Sequence, residues 1–458
     1  MPQARTAHPS SYRDPSGFIF TENGTIYRQV NLSYKKHFDH FTGSGCYKEL
    51  TELQWLIPHD IAGQDHLDPP AYITIRPLPI PFISYPYEWS FDMLRDAALL
   101  TLGIQRKVTS YGMTLKDATP YNIQWYKGKM IFIDSLSFEI SENSPWVAYR
   151  QFCEQFLAPL LLMHYTGSSL HQLLLAWPEG VPLHEARQLL PYRSRWSFHT
   201  WLHIHLHAKI SSKAAGKARK ETPFSRQKMN NLVTSLELLI RKLKAPGRSS
   251  GWKDYYEEAG ARDNYLEPKK LLVKNWLQQL KGIRYAADLG ANQGEFAGLL
   301  AAAGLQVIAA DSDPGCINTL YLQLKKSGEE SIQPLIIDLA NPSPAIGLNN
   351  QERSSFPERM QPDLVIALAI VHHLAIGRNI PFSEIARLFS MARQFLIIEF
   401  VPKDDAKVQQ LLMNRTDLFS QYTLHHFITA FEAYFEVLQH EPIGSSQRTL
   451  LLMQRKGL

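Results

Sequence analysis

The sequence predicts an α/β chain in which a doubly wound parallel sheet fills the C-terminal part, from Trp252 to Leu458, behind an α+β half. Three observations predict it. Short, almost wholly apolar segments alternate with helical ones after Trp252, the pattern of strands covered on both faces. A glycine-bearing bend follows the first of these strands, and an acid ends each of three successive strands.

At 458 residues the chain is too long for one ordinary core. We divide it into an α+β domain over 1–208, a basic helical linker over 209–251 and the doubly wound domain over 252–458. In the first part, Gly17 to Val30 reads as a hairpin turning at Asn23-Gly24. A helical stretch from Tyr47 to Leu56 and an extended run from Ala71 to Tyr87 follow. A helix from Ser90 to Leu102 is expected to stop at Gly103. The linker carries an amphipathic helix over Phe224 to Leu243, halted by Ala245-Pro246-Gly247. Beyond it, strands are expected at Tyr285–Asp288, Gln306–Ala310, Gln333–Ile337, Leu364–Ala369 and Phe395–Phe400. Phe435–Ile443 and Thr449–Arg455 read as a closing antiparallel pair.

Composition narrows the function classes. A 45% hydrophobic and 20% charged chain fits a globular protein. No apolar run approaches the ~18 residues that crossing a bilayer requires, so no membrane partner is expected. The opening residues lack a secretory signal core, and three scattered cysteines suit a reducing cytoplasm, without a zinc cluster. Eleven Lys/Arg against two acids between Lys209 and Arg248 form a basic stretch that can solvate a linker or meet phosphates such as those of RNA.

The bend Asp288-Leu289-Gly290-Ala291-Asn292-Gln293-Gly294 lies where a strand meets a helix. Its glycines at 290 and 294 let the backbone turn sharply and approach a ligand. An acid before the glycines, with no GxGxxG, suits a cationic amino group better than a pyrophosphate. Asp311 ends the second strand and can accept two ribose hydroxyls; Asp338 ends the third and can reach an adenine amino group.

DLGANQG (288–294), VIAAD (307–311), IID (336–338) and ALAIVHHL (367–374) together resemble the motifs of class I S-adenosylmethionine-dependent methyltransferases. The resemblance implies a Rossmann-like, seven-stranded sheet with an antiparallel last strand. It places Asp288, Gly290, Asn292 and Gly294 at the methionine end of the cofactor, Asp311 at the ribose and Asp338 at the adenine. His372 and His373, after the fourth strand, and Glu399, ending the fifth, are the candidate catalytic residues. For the histidines the alternative is shaping the pocket; for Glu399 it is a buried pairing carboxylate. The missing Asn/Asp-Pro-Pro-Tyr/Phe run speaks against DNA bases and leaves small molecules, proteins or RNA as the methyl acceptor.

Asp117, Asn122 and Asp134 resemble the catalytic loop and metal-binding strand of kinase-fold phosphotransferases. The glycine-rich loop, a His-Arg before Asp117 and the Phe-Gly after Asp134 are all missing. Arg28 with Glu49 or Glu52 can stand in for the usual lysine–glutamate pair. The half therefore reads as a degenerate kinase-like fold binding a substrate or partner, with an active phosphotransferase or an unrelated α+β domain as alternatives. Ser84–Leu94, Leu115–Trp125, Phe132–Glu139 and Ala367–Ile376 extend the likeness to a bacterial methyltransferase-like family that includes a host-specificity nodulation protein. His199, His203 and His207 share a helical face; they are expected at a surface or interface, with a metal site as the alternative. A non-catalytic, cofactor-holding scaffold remains the other functional alternative.

Overall fold

A computed structural model of the chain describes residues 6–63, 71–213, 224–245, 265–413 and 416–457. The chain divides into two compact units: Met1–Gly247 with Ala345–Ser354, and Arg248–Pro344 with Ser355–Leu458. The halting turn at 246–251 and part of the basic stretch lie outside the described residues.

The first unit opens with an antiparallel sheet of β1 (Thr6–Ala7), β2 (Gly17–Glu22), β3 (Thr25–Asn31), β4 (His59–Gly63) and β5 (Ala71–Pro77), in the order β1-β2-β3-β5-β4. The hairpin turns at Asn23 and Gly24, both with positive φ (50° and 74°), which matches the twist of the strands it joins. Helices α1 (Lys35–Gly43) and α2 (Cys46–Glu52) intervene between β3 and β4. Val30, Tyr34, Phe38, Ile73, Ile75 and Leu136 form a buried cluster under the sheet.

The helix α3 (Phe91–Thr109) runs seven residues past the expected stop at Leu102. Gly103 lies inside it because a Cβ there would sit 3.3 Å from the Trp55 ring; the glycine makes room for the indole. Two short antiparallel pairs follow, β6 (Met113–Leu115) with β9 (Phe138–Ile140) and β7 (Ile123–Tyr126) with β8 (Lys129–Phe132). The amphipathic helix Arg226–Lys242 packs on α3 and buries Met229, Val233, Leu236, Leu239 and Ile240, so it is part of the first unit's core and not a free linker. Of the histidines expected at a surface or interface, His199 and His207 are half-buried and His203 is internal. His203 is buried, bonding Tyr149 Oη (2.7 Å) and Ser235 Oγ (2.8 Å), and His199 shares that Ser235 hydroxyl.

The second unit holds seven strands: β10 (Tyr285–Leu289), β11 (Gln306–Asp311), β12 (Ile332–Ile336), β13 (Leu364–Ala367), β14 (Phe395–Phe400), β15 (Phe435–Pro442) and β16 (Thr449–Arg455). Their order is β12-β11-β10-β13-β14-β16-β15, parallel except that β16 runs antiparallel to both neighbours. Strands β12, β13 and β14 are buried almost end to end and apolar but for Gln333 and Glu399, the pattern of a sheet covered on both faces. The order reverses between β10 and β13, and ligands of such sheets bind at the carboxyl ends of strands beside that reversal.

Candidate functional site

A cavity of about 340 Å³ opens at that reversal, lined by Asp288, Gly290, Asn292, Asp311, Asp338 and His373 among others. The bend is built by backbone geometry. Gly290 (φ 90°), Asn292 (φ 49°) and Gly294 (φ 85°) are left-handed. Gly290 and Ala291 both donate their N–H to Ala310 O (2.8 and 3.0 Å), tying the bend to β11. A Cβ on Gly290 would meet Ile370 at 3.1 Å, so glycine keeps this wall of the cavity open.

Asp288 is buried, and its Oδ2 finds no hydrogen-bond partner. Burial, followed by the nearby Asp311 charge, pushes its carboxyl up to about 7. Asp311 is held by two backbone donors, Asn292 N on Oδ2 (2.8 Å) and Asp313 N on Oδ1 (2.9 Å); burial raises its pKa nonetheless. Asp313 caps the helix Pro314–Ser327, accepting from Gly315 N and Cys316 N. Asp338 sits two residues beyond β12, where it accepts from Ala340 N (2.9 Å) and pairs with Arg378 (3.3 Å).

Four expected site residues are placed differently. Gly294 does not line the cavity; a Cβ there would strike Leu320 at 2.5 Å, so it seats the following helices. His372 is buried and also outside the lining, its pKa driven well below the ordinary histidine value by burial and His373. Glu399 lies fully buried between Lys269 Nζ (2.6 Å) and Arg448 Nη1 (3.3 Å), a pairing carboxylate behind the cavity wall. Arg28, expected near Glu49 or Glu52, pairs with Asp134 (2.6 Å) and Asp14 (3.2 Å), while Glu49 takes Lys107 (2.7 Å). His373 does face the cavity, with burial and Lys407 lowering it to about 4.

Sequence reasoning missed Lys269, Tyr265 and Ala369, which also line the cavity. A signal existed for Lys269: it stands in helical register with the buried Val273 and Trp276, on an otherwise apolar stripe. Tyr265 lies under both Lys269 (4.9 Å) and Arg448 (4.4 Å). Ala369 holds a left-handed backbone (φ 51°) while donating its N–H to Glu399 (2.9 Å), a conformation that only the assembled β13–β14 edge explains.

In the first unit the loops flanking the short pairs β6–β9 and β7–β8 bring Asp117, Asn122 and Asp134 together. Asp117 accepts from Gln151 (2.6 Å) and Asn122 (3.2 Å); Asn122 also donates to Ser137 Oγ (3.1 Å), which donates to Asp134 (2.7 Å). Burial and Asp134 raise the Asp117 carboxyl. Among the described residues no group of His, Cys, Asp or Glu has the geometry of a metal site.

No family model matches the chain. Magnesium protoporphyrin IX methyltransferase (ChlM) from Synechocystis PCC 6803 with bound SAH is 16% identical, covering 46% of this chain and 90% of that one at a TM-score of 0.32. The N-methyltransferase NodS from Bradyrhizobium japonicum WM9 is 15% identical over 43% of this chain and 99% of that one, at 0.32. The bifunctional kinase-methyltransferase WbdD is 16% identical over 48% of this chain and 45% of that one, at 0.30. Likenesses this distant leave function to the geometry of the cavity. The nodulation protein NoeA of Rhizobium meliloti (strain 1021) is 32% identical over 458 residues, 97% of this chain and 95% of that protein. Along nearly its whole length, the chain belongs to the NoeA family of nodulation proteins.

Proposed function

We propose that the second unit binds S-adenosylmethionine and transfers its methyl group to an acceptor recruited by the first unit. The observation that carries this is Asp288: a buried carboxylate oxygen without a partner, on the wall of a cavity formed by a glycine bend. An unmatched buried acceptor costs stability unless a ligand satisfies it, and a cationic amino group is the complement of an acid. Bound there, the cofactor supplies an electrophilic methyl group. Asp288 would hold the amino end and Asp311 would accept from the ribose hydroxyls, with Gly290 keeping the wall between them open.

Catalysis is mainly alignment of the acceptor with the methyl group. His373 is unprotonated at neutral pH and is a weak base, so it orients a donor on the acceptor rather than driving its deprotonation. Glu399 acts through Lys269 and the Ala369 N–H, fixing the cavity wall. The first unit is read as a kinase-type fold reused for binding. Supporting this are its five-stranded order, helices between the third and fourth strands, and loop acids neutralised by Arg28. Three free, buried cysteines support a reducing, cytoplasmic setting.

Calorimetry with S-adenosylmethionine and S-adenosylhomocysteine tests the site. Label transfer from the cofactor into a lysate fractionated into small molecules, RNA and protein then identifies the acceptor. A well-folded protein that takes up neither compound refutes the cofactor; uptake without any label transfer favours a scaffold over an enzyme.

A further inference from the structure

Between Leu189 and Trp201 the first unit turns an apolar, mostly aromatic surface to solvent. Tyr192 is 69% exposed, Trp196 81% and Phe198 66%; Leu189, Trp201 and Ile210 are exposed as well. A 3-10 turn (Tyr192–Trp196) precedes a helical turn from Phe198, whose start is capped by Ser197, and a wide π turn over Trp201–Leu206. The inner side of this segment is tied down, with Ser194 bonding His205 (2.9 Å) and His203 bonding Tyr149 and Ser235. The rings are therefore displayed by a packed scaffold. Phe198 and Trp201 stack at 6.4 Å, and Arg195 lies over Tyr192 at 4.9 Å.

Along this stretch of the chain the charge has one sign. Arg187, Arg193, Arg195 and Lys209 are exposed, and the sequence has no acid between Glu185 and Glu221. Clustered exposed apolar side chains mark an interaction surface. We infer that this surface docks the protein peripherally on a membrane rich in anionic lipid. Tryptophan and tyrosine partition to the headgroup boundary, Leu189 and Ile210 gain by entering the acyl region, and the cations meet acidic headgroups.

Single-stranded RNA would use the rings and cations but leave the aliphatic side chains in water. A second copy of the chain would set four cations against four across a self-complementary interface. The sequence expectation of no membrane partner rested on the lack of a spanning segment, and among the described residues no helix is long and apolar enough to cross. Adsorption to a surface needs no such helix.

Flotation of the full chain with phosphatidylcholine vesicles, with and without phosphatidylglycerol, tests this. Binding is expected only to the anionic vesicles, weakening with salt. The double variant W196A/F198A is expected to lose about tenfold in partitioning, and R187Q/R195Q about fivefold for each arginine, with melting temperatures unchanged because these side chains are exposed. No flotation with anionic vesicles, or flotation that neither double variant weakens, overturns the inference. So does RNA binding or self-association that W196A/F198A abolishes in a protein that ignores vesicles. Cofactor uptake is measured on the same variants, so failure here is separable from failure of the methyltransferase site.

Discussion

Each unit gathers carboxylates from neighbouring strands and loops, and the two gatherings are opposite in what they leave open. In the first unit Asp134 is neutralised by Arg28 and bonded by Ser137, and Asp117 is bonded by Gln151 and Asn122. In the second, Asp288 keeps an oxygen without a donor and Asp311 has only backbone donors, both on a cavity wall. Similar acids, converged by strand geometry, thus become a structural lock in one place and a waiting receptor in the other. The deciding factor is whether the fold supplies its own cation. Arg28 fills that role for Asp134 in the first unit; in the second, Arg378 goes to Asp338 and Lys269 and Arg448 are spent on Glu399, which leaves Asp288 and Asp311 without one.

The sharpest way to break this contrast is Arg28→Ala. It strands Asp134, which has little solvent access, while Asp14 keeps Lys116 (3.2 Å); removing one partner of a largely buried pair costs about 3–5 kcal/mol. Denaturant unfolding should register that loss while calorimetry shows cofactor affinity unchanged. Unaltered stability would mean that the first unit's acids are not a lock. Asp288→Asn is the complementary change in the second unit. It replaces a charged acceptor by a neutral amide and should weaken S-adenosylmethionine binding by about 2–3 kcal/mol, without destabilising the free protein. Equal affinity in both proteins would remove Asp288 from the site.

Much of this was legible in the sequence. All seven strands of the second unit fall within two residues of the expected ends; for β10 to β14 this is because buried parallel strands advertise themselves as apolar runs. The same pattern located Asp288, Gly290, Asp311 and Asp338 at strand ends, and the structure lines one cavity with them. What was not legible depends on partners distant in the chain. Gly103 looks like a helix stop until Trp55 is placed against it. Glu399 reads as either a catalytic acid or a buried pairing carboxylate, and only Lys269 and Arg448, 130 and 49 residues away, decide for the pair. Gly294 belongs in a cofactor motif by spacing, yet its missing side chain serves Leu320.

That last distinction separates the two glycines by experiment. Gly294→Ala combines a left-handed backbone with a close contact to Leu320 and should cost about 1–3 kcal/mol of stability in the second unit. Gly290→Ala adds its methyl at the cavity wall, so its loss should appear in cofactor affinity as well. Calorimetry and thermal unfolding of both variants resolve the roles; a Gly294→Ala protein of native stability but lowered affinity would reverse them.

The smallest expected effect follows from the position of Asp288 near 7. In the unfolded chain this acid titrates at its ordinary value of 3.8, so between that value and about 7 the folded protein binds the extra proton. The unliganded second unit therefore loses stability as pH rises toward 7, with the loss complete above it. A ligand's ammonium group prefers the ionised carboxylate, so uptake below 7 must release the proton and is weaker there. Affinity should rise about threefold across the pH unit centred on 7 and level off above it. Asp288→Asn, measured in parallel, subtracts titration of the ligand's own amino group and should abolish this component. A profile identical in both proteins would mean that the acid beside the glycine bend never meets the cation, and the contrast between receptor and lock would lose its receptor.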